Sequence, residues 1–371
     1  MTGRRFTTGR TVRIATALAA VATAIVVPAA LDSESALAVA PAAAAGHSYV
    51  VSTVAQLKAR IPQLRAGDTL RLQPGTYNTG YLRYYASGAN PTQTIARGTA
   101  ARPITVTSVN PSRPAVLVGG FQLTGANYWH LTRLRFQAAT AGLSALYMNN
   151  GVGWQVTYSE FWGADKTRSF ANVAIAGSRG EPRAFVFAGN CLHGAAATNR
   201  GNTDQNIYLS FQGTAASGGS IARNIIWASP QGAAIKLGNG GVSGALGPWN
   251  VAVTNNTLAS NGRQILFFGN VRNNRIYGNL FYKARTPFTH DPRTTQIYVA
   301  GRVGSGNVIK GNYGYGASMF SFDPTHSLHY GANTQSNAAA ANPSFFSQNG
   351  CTAYRPTSRT AASFGRYGVI H

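Results

Sequence analysis

The sequence predicts an all-β, single-stranded parallel solenoid closed at its N-terminal end by a short helix. Three observations carry that expectation. An Asn-centred pattern returns along most of the chain, and a second β-prone run follows each copy. The composition is that of a turn-rich β protein, with 42 Gly among 371 residues and only 11% charged side chains.

Each copy of the pattern is an apolar residue, two spacers, an Asn, a spacer and usually a second apolar residue. The copies centre on Asn190, Asn224, Asn256, Asn279 and Asn312, separated by 34, 32, 23 and 33 positions, with weaker copies in which Ser159 and Leu134 replace the Asn. Intervals of this size are those of stacked coils with variable loops. The β-prone runs after the Asn residues lie at 173–177, 207–209, 234–238, 265–269 and 297–301, and Gly ends four of them, where the backbone must turn tightly. A single coil cannot bury its own apolar side; stacking on the next coil, with strands paired in parallel, does so. An Asn at one fixed corner can then bond its amide to the Asn above and below.

Taken in order, residues 1–45 read as an export leader. Arg4, Arg5, Arg10 and Arg13 precede an apolar run over 14–31, and Ala36-Leu37-Ala38 is a small-residue cleavage signature. The Arg4-Arg5 pair leaves a twin-arginine route open beside the general one, and the run is long enough for an uncleaved anchor. No later segment is long and apolar enough to span a bilayer, so a secreted or wall-associated protein without stable membrane insertion is expected after cleavage. Residues 52–66 predict a helix: Val54, Leu57, Ile61 and Leu64 share a face, Ser52 or Thr53 can cap its start, and Pro62 must bend or end its last turn. That helix, within residues 46–66, is expected to cap the first coil. The coils should run over 67–322, and 323–371 should form an irregular tail.

The stretch Gly67-Asp68-Thr69-Leu70-Arg71-Leu72-Gln73-Pro74-Gly75-Thr76-Tyr77 is followed by Arg102-Pro103-Ile104-Thr105-Val106, the Gly119-Gly120-Phe121 step and Asn127-Tyr128-Trp129-His130-Leu131. Together they resemble the opening coils of right-handed parallel β-helix proteins of the pectate lyase-like superfamily. Asn342-Pro343-Ser344-Phe345-Phe346 and Tyr354-Arg355-Pro356-Thr357-Ser358 resemble their closing segment. The resemblance covers about residues 48–365 and implies a right-handed coil. It fixes no activity, because the superfamily holds lyases, hydrolases, epimerases, esterases and non-catalytic adhesins. The paired aspartates of its hydrolases and the carboxylate cluster of its calcium-dependent lyases are both missing. The acids after the leader are Asp68, Glu160, Asp165, Glu181, Asp204, Asp291 and Asp323, and no two of those beyond Asp68 fall at matching places on neighbouring coils. No metal and no cofactor is expected.

The chain carries a formal net charge of +23, and removing the leader's four Arg and two acids leaves 28 basic against 7 acidic side chains. Such a field attracts a polyanion, an acidic polysaccharide first of all. The chain lacks a nucleic-acid recognition motif, and the leader points away from nucleic acid. A monomer is expected. Cys191 and Cys351 either form one bridge between tail and coil or stay as small buried thiols.

Alternation along the second run places candidate chemistry. If Ile207, Ile235, Ile265 and Ile297 point inwards, then Tyr208, Lys236, Leu266 and Tyr298 form one outward column. Lys236 is the sharpest residue in it, one of five lysines and placed mid-strand on an apolar coil. A desolvated Lys has its pKa lowered towards that of a general base. Such a base suits β-elimination on a uronic acid, where a proton α to a carboxylate is removed. His193 and Arg263 complete the expected catalytic set. Tyr208, Tyr298, Arg223, Asp204, Arg285 and His290 are expected to hold substrate, with His193 and Asp204 as an acid–base pair. The inserts 194–205 and 283–296 should flank the groove on one side. Structural alternatives stand beside each: solvated Tyr and Lys, loop arginines, a turn His and a capping Asp. Glu160, Asp165 and Arg135, on the preceding face, are the next place to look. Two functions compete, a metal-independent polysaccharide lyase and a non-catalytic β-helix that binds cell-wall or extracellular polyanions.

Overall fold

In a computed structural model the structure describes residues 46–87, 92–167, 169–177, 181–195, 205–238, 247–285, 294–300, 303–320 and 328–345, with 348, 350–352, 354–358 and 360–367. The expected leader lies outside the described residues, as do Asp204, His290 and most of both inserts. Every strand pairing within the two sheets is parallel, and each strand pairs with its counterpart in the next coil. Among the described residues they form an 11-stranded and a 17-stranded sheet.

A typical coil has three faces. It runs from a strand of the first sheet (Gly218–Ala222) to a short strand on a second face (Ile225–Trp227) and then to a third face (Ala233–Leu237). The second and third faces count as one sheet because the long strands Thr76–Tyr85 and Val116–Thr124 cross both, bending where Gly80 and Gly119 meet. A Cβ on Gly119, which sits at φ 132°, would fall 1.8 Å from the Gly80 carbonyl oxygen, so that corner requires glycine. The inward residues of all three faces, among them Ile207, Ile235, Ile265, Leu209, Leu237 and Phe267, are in one continuous core. The protein is a right-handed parallel β-helix.

The Asn corner is a ladder. The Asn190 N–H donates to Asn224 Oδ1 (2.8 Å), Asn224 to Asn256 (3.0 Å), Asn256 to Asn279 (2.9 Å) and Asn279 to Asn312 (3.0 Å), all of them buried. The residue before each Asn is left-handed, as at Gly189, Arg223, Asn255, Gly278 and Gly311. This conformation turns the chain from the first sheet onto the second face and aims each Asn carbonyl at the coil before it. Asn333 adds a rung beyond those expected, accepting from the Asn312 N–H at 3.0 Å. A second ladder joins Asn274 and Asn307, and a third joins Asn172 and Asn206, at the other two corners.

Both ends differ from the expected boundaries. The strand Ser48–Val51 precedes the helix and pairs with Thr69–Leu72, so the first coil begins before residue 67. The helix is Val54–Arg60, with Thr53 and Gln56 forming a reciprocal capping box, and it tightens into a 3-10 turn at Ile61–Gln63, where Pro62 cannot donate. Its buried residues Leu57 and Ile61, with Leu64 beyond them, close the core. At the other end Leu328–Tyr330 and Thr334–Ser336 still pair onto the solenoid, so stacking continues past residue 322 because Asn312 finds a partner in Asn333.

The segment that follows is a strap along the second face. Tyr354 packs with Ile225, Ala259 and Tyr282, Ala361 with Leu280 and Tyr313, and the Gly365 N–H donates to the Gly278 carbonyl at 2.8 Å. A disulfide between Cys191 and Cys351, 160 positions apart, fastens it to the coil. Cys351→Ser is expected to cost roughly 2–4 kcal/mol in oxidised protein. Limited proteolysis should then cut first within 350–367, with the ladder coils still protected.

Candidate active site

The outward column is built as the alternation requires. Tyr147 pairs with Ala174, Ala174 with Tyr208, Tyr208 with Lys236, Lys236 with Leu266 and Leu266 with Tyr298, each on a neighbouring strand of the third face. Lys236 is 7% exposed, and its ammonium lies 5.1 Å from the centre of the Tyr208 ring and 5.3 Å from that of Phe268. Burial pulls its pKa down to about 8, because a charge away from water is disfavoured. Burial also pushes the Tyr208 phenol up, partly offset by a hydrogen bond with Ser210, so the phenol is protonated at neutral pH. An amine whose pKa is brought close to neutrality and a protonated phenol thus sit on adjacent strands. The column is most accessible on the Tyr208 and Tyr147 side, since Leu266 is 0% exposed.

The other expected site residues are placed differently from Lys236. Arg263, expected in the catalytic set, is on the same face but fully buried. Its guanidinium lies 5.4 Å from the Tyr298 ring centre and donates to the Gly262 carbonyl at 3.2 Å. It supports the face from beneath and is not offered to solvent. Arg223 occupies the left-handed residue of the Asn224 corner, between the first sheet and the second face, so it does not join the Lys236 column. Arg285 is exposed, its N–H donates to the Asn261 carbonyl, and its charge acts on the strap's Tyr354. Tyr282 is core, stacked on Tyr315 and set edge-on to Phe345.

Among the described residues His193 meets Glu160, while Asp204, its expected partner, lies outside them. The His193 Nε2 is 2.9 Å from Glu160 Oε1, while Arg135 Nε donates to Glu160 Oε2 at 2.5 Å. Arg135 and Glu160 are register partners on the second face, with His193 next to the strand Cys191–Leu192. Burial alone would raise the Glu160 pKa, but the hydrogen bonds from His193 and Arg135 and the Arg135 charge outweigh it and hold the carboxyl below its usual value. The imidazole stacks between Trp162 (6.2 Å) and Trp227 (5.1 Å), and Arg135 lies 4.9 Å from the other ring, Trp162. Beside them a cleft of ≈ 380 Å³ is lined by Arg135, Glu160, Tyr158, the disulfide and Arg366 of the strap. Trp162 is thus engaged by both His193 and Arg135 within the cluster. Asp165, the third acid–base candidate here, pairs instead with Lys166 at 3.3 Å.

The fold and this column define a parallel β-helix whose third face presents a desolvated lysine beside a tyrosine. Solved structures similar to it include an alginate lyase from Paenibacillus sp., 18% identical over 78% of this chain and 99% of that one, with a TM-score of 0.47. A mannuronic acid specific polysaccharide family 6 lyase from human gut microbiota is 13% identical over 79% and 83%, at 0.39. A pectate lyase is 14% identical over 79% and 78%, at 0.34. At these identities the likeness says nothing of substrate. No family model matches the sequence, and neither does any curated protein.

Proposed function

We propose that this β-helix acts outside the cell on an acidic, uronate-containing polysaccharide and cleaves it by β-elimination, with Lys236 as the base. The observation that carries the reading is Lys236 itself, held beside Tyr208 with its pKa down to about 8. In its neutral form the amine takes the proton on the carbon α to the uronate carboxylate. The electrons of that C–H bond form the new double bond as the β-carbon to oxygen bond breaks, and the leaving oxygen takes the Tyr208 proton. Lys236 returns its proton to solvent and Tyr208 is reprotonated from it. The excess of 28 basic over 7 acidic side chains beyond the leader favours approach of a polyanion and stabilises the negative charge that gathers on the carboxylate. Export is supported by the leader-like residues and by the Cys191–Cys351 disulfide, a bond that persists in oxidising compartments.

Incubation with alginate, polygalacturonate, glycosaminoglycans and anionic wall polymers, followed by the absorbance of the unsaturated uronide, tests the reading. One of them should give a rising signal. Retention on the same polymer should weaken steeply as salt rises, since exposed charges are screened over about 8 Å at physiological ionic strength. Retention without any absorbance change would favour the non-catalytic alternative, and salt-independent retention would remove the polyanion altogether.

A further inference from the structure

The same outward column continues away from Lys236 into a second depression. Gln122 pairs with Tyr147, two strands before Tyr208, and a cleft of ≈ 280 Å³ opens there between Tyr81, Gln122, Ser144, Tyr147, Asn149 and Phe170. Its walls are fixed in advance. Tyr81 lies across Gly120, where a Cβ would come within 2.9 Å of the ring, and its hydroxyl donates to Gln122 Oε1. The Gln122 Nε2 in turn donates to Thr124 Oγ1 at 3.2 Å. Phe170 stands edge-on to Tyr208 at 5.7 Å, which joins this cleft to the Lys236 site. Between Tyr147 and Tyr208 the column holds only Ala174, a small residue that is itself buried, so the two tyrosines are separated by one short side chain. The exposed Arg83 sits at the rim, its guanidinium 4.9 Å from the Tyr81 ring centre.

Aromatic faces with fixed amides and hydroxyls, and one cation at the edge, are the chemistry that recognises a pyranose ring bearing a carboxylate. The volume suits a single such ring. Three strand spacings separate Tyr147 from Lys236, about 14 Å at ~4.8 Å each, which is the span of about three sugar units. We propose that this cleft is a uronate-binding subsite about three units from the bond that is broken, so that productive substrates must be long enough to reach from Lys236 to Tyr147. The proposal rests on the lyase reading for its polymer, and on its own geometry for its place.

The test is calorimetric titration of the Lys236→Ala protein, which should turn the ligand over at least about a hundredfold more slowly, with saturated uronate di-, tri-, tetra- and pentasaccharides from alginate and polygalacturonate. Affinity should step up at least about tenfold when the chain first reaches the cleft, and Tyr147→Ala added to this background should abolish the step while leaving disaccharide binding unchanged. Gln122→Ala, on the neighbouring strand, should shrink the same step and serves if Tyr147→Ala does not fold. Tyr147→Phe should retain most of it. An identical length dependence with and without Tyr147 and Gln122 would overturn the subsite, and if the wild-type protein still cleaves in a Lys236-dependent manner the lyase reading survives that result. Absence of binding by every oligouronide would overturn the subsite, and would overturn the lyase reading with it if the wild-type protein also cleaves none of the polymers.

Discussion

Lys236→Ala is expected to lower turnover of the cleaved polymer by about a hundredfold or more, the usual scale for losing a positioned general base. The fold should persist, because the side chain leaves the core and only its Cβ is needed by the strand. The pH dependence identifies the role. A base acts in its neutral form, so kcat/KM should rise with pH up to about 8, where half the Lys236 side chains are neutral, and level off above it. Stability should move the other way on substitution. The pKa of Lys236 is lowered on folding from 10.5 to about 8, so between these values the unfolded chain binds the extra proton and stability rises with pH. Below about 8 the buried charge costs its full amount, on the order of 3 kcal/mol. Lys236→Met should therefore melt higher than the wild type at pH 7, lose that advantage by about pH 10.5 and be inactive. A catalytic group kept at a cost to stability behaves in this way. An unchanged rate in Lys236→Ala would remove the site assignment.

Asn256→Leu is expected to be the most damaging single change to the fold. The Asn256 side chain donates to the Ile221 carbonyl at 2.9 Å and to Asn279 Oδ1 at 3.0 Å, and it accepts from both the backbone and the side-chain nitrogen of Asn224. Leucine would leave at least two of these buried groups without a partner, at about 1–3 kcal/mol each, so a loss of about 3 kcal/mol or more is expected in chemical unfolding. Asn333→Leu, at the half-buried end of the same ladder, should cost clearly less. Equal losses at both positions would mean that burial does not set the value of a rung.

The ladder was legible because each coil must satisfy the same buried corner with the same residue. Asn333 escaped because Gly331-Ala332 and Thr334-Gln335 around it lack the apolar pair, the coil there being a terminal one with little core left to bury. The outward column was legible for a similar reason: period-two alternation fixes which side chains leave the core, whatever the loops do. What alternation does not carry is how deep an outward residue lies: Leu266, in the outward column, is fully buried. Arg263 starts its strand two positions before the inward Ile265, and there it is fully buried beside the Tyr298 ring. The strap was not legible, since it follows no period. The strip it covers, Tyr282 and Tyr315 among others, reads as an ordinary aromatic surface until the tail is in place. The Glu160–His193 pair carries a sequence signal of its own, a carboxylate and an imidazole 33 positions apart, which is one coil.

The most direct measurement of the central claim is the mass of the products formed in water enriched in heavy oxygen. β-Elimination breaks the sugar chain without adding water, so the fragments should sum to the mass of the substrate. The new non-reducing end should be an unsaturated uronate, with no heavy oxygen in either fragment at the cut. Fragments heavier by one water, with the heavy isotope at the new end, would show hydrolysis, and Lys236 would then have to be read as something other than the base of an elimination.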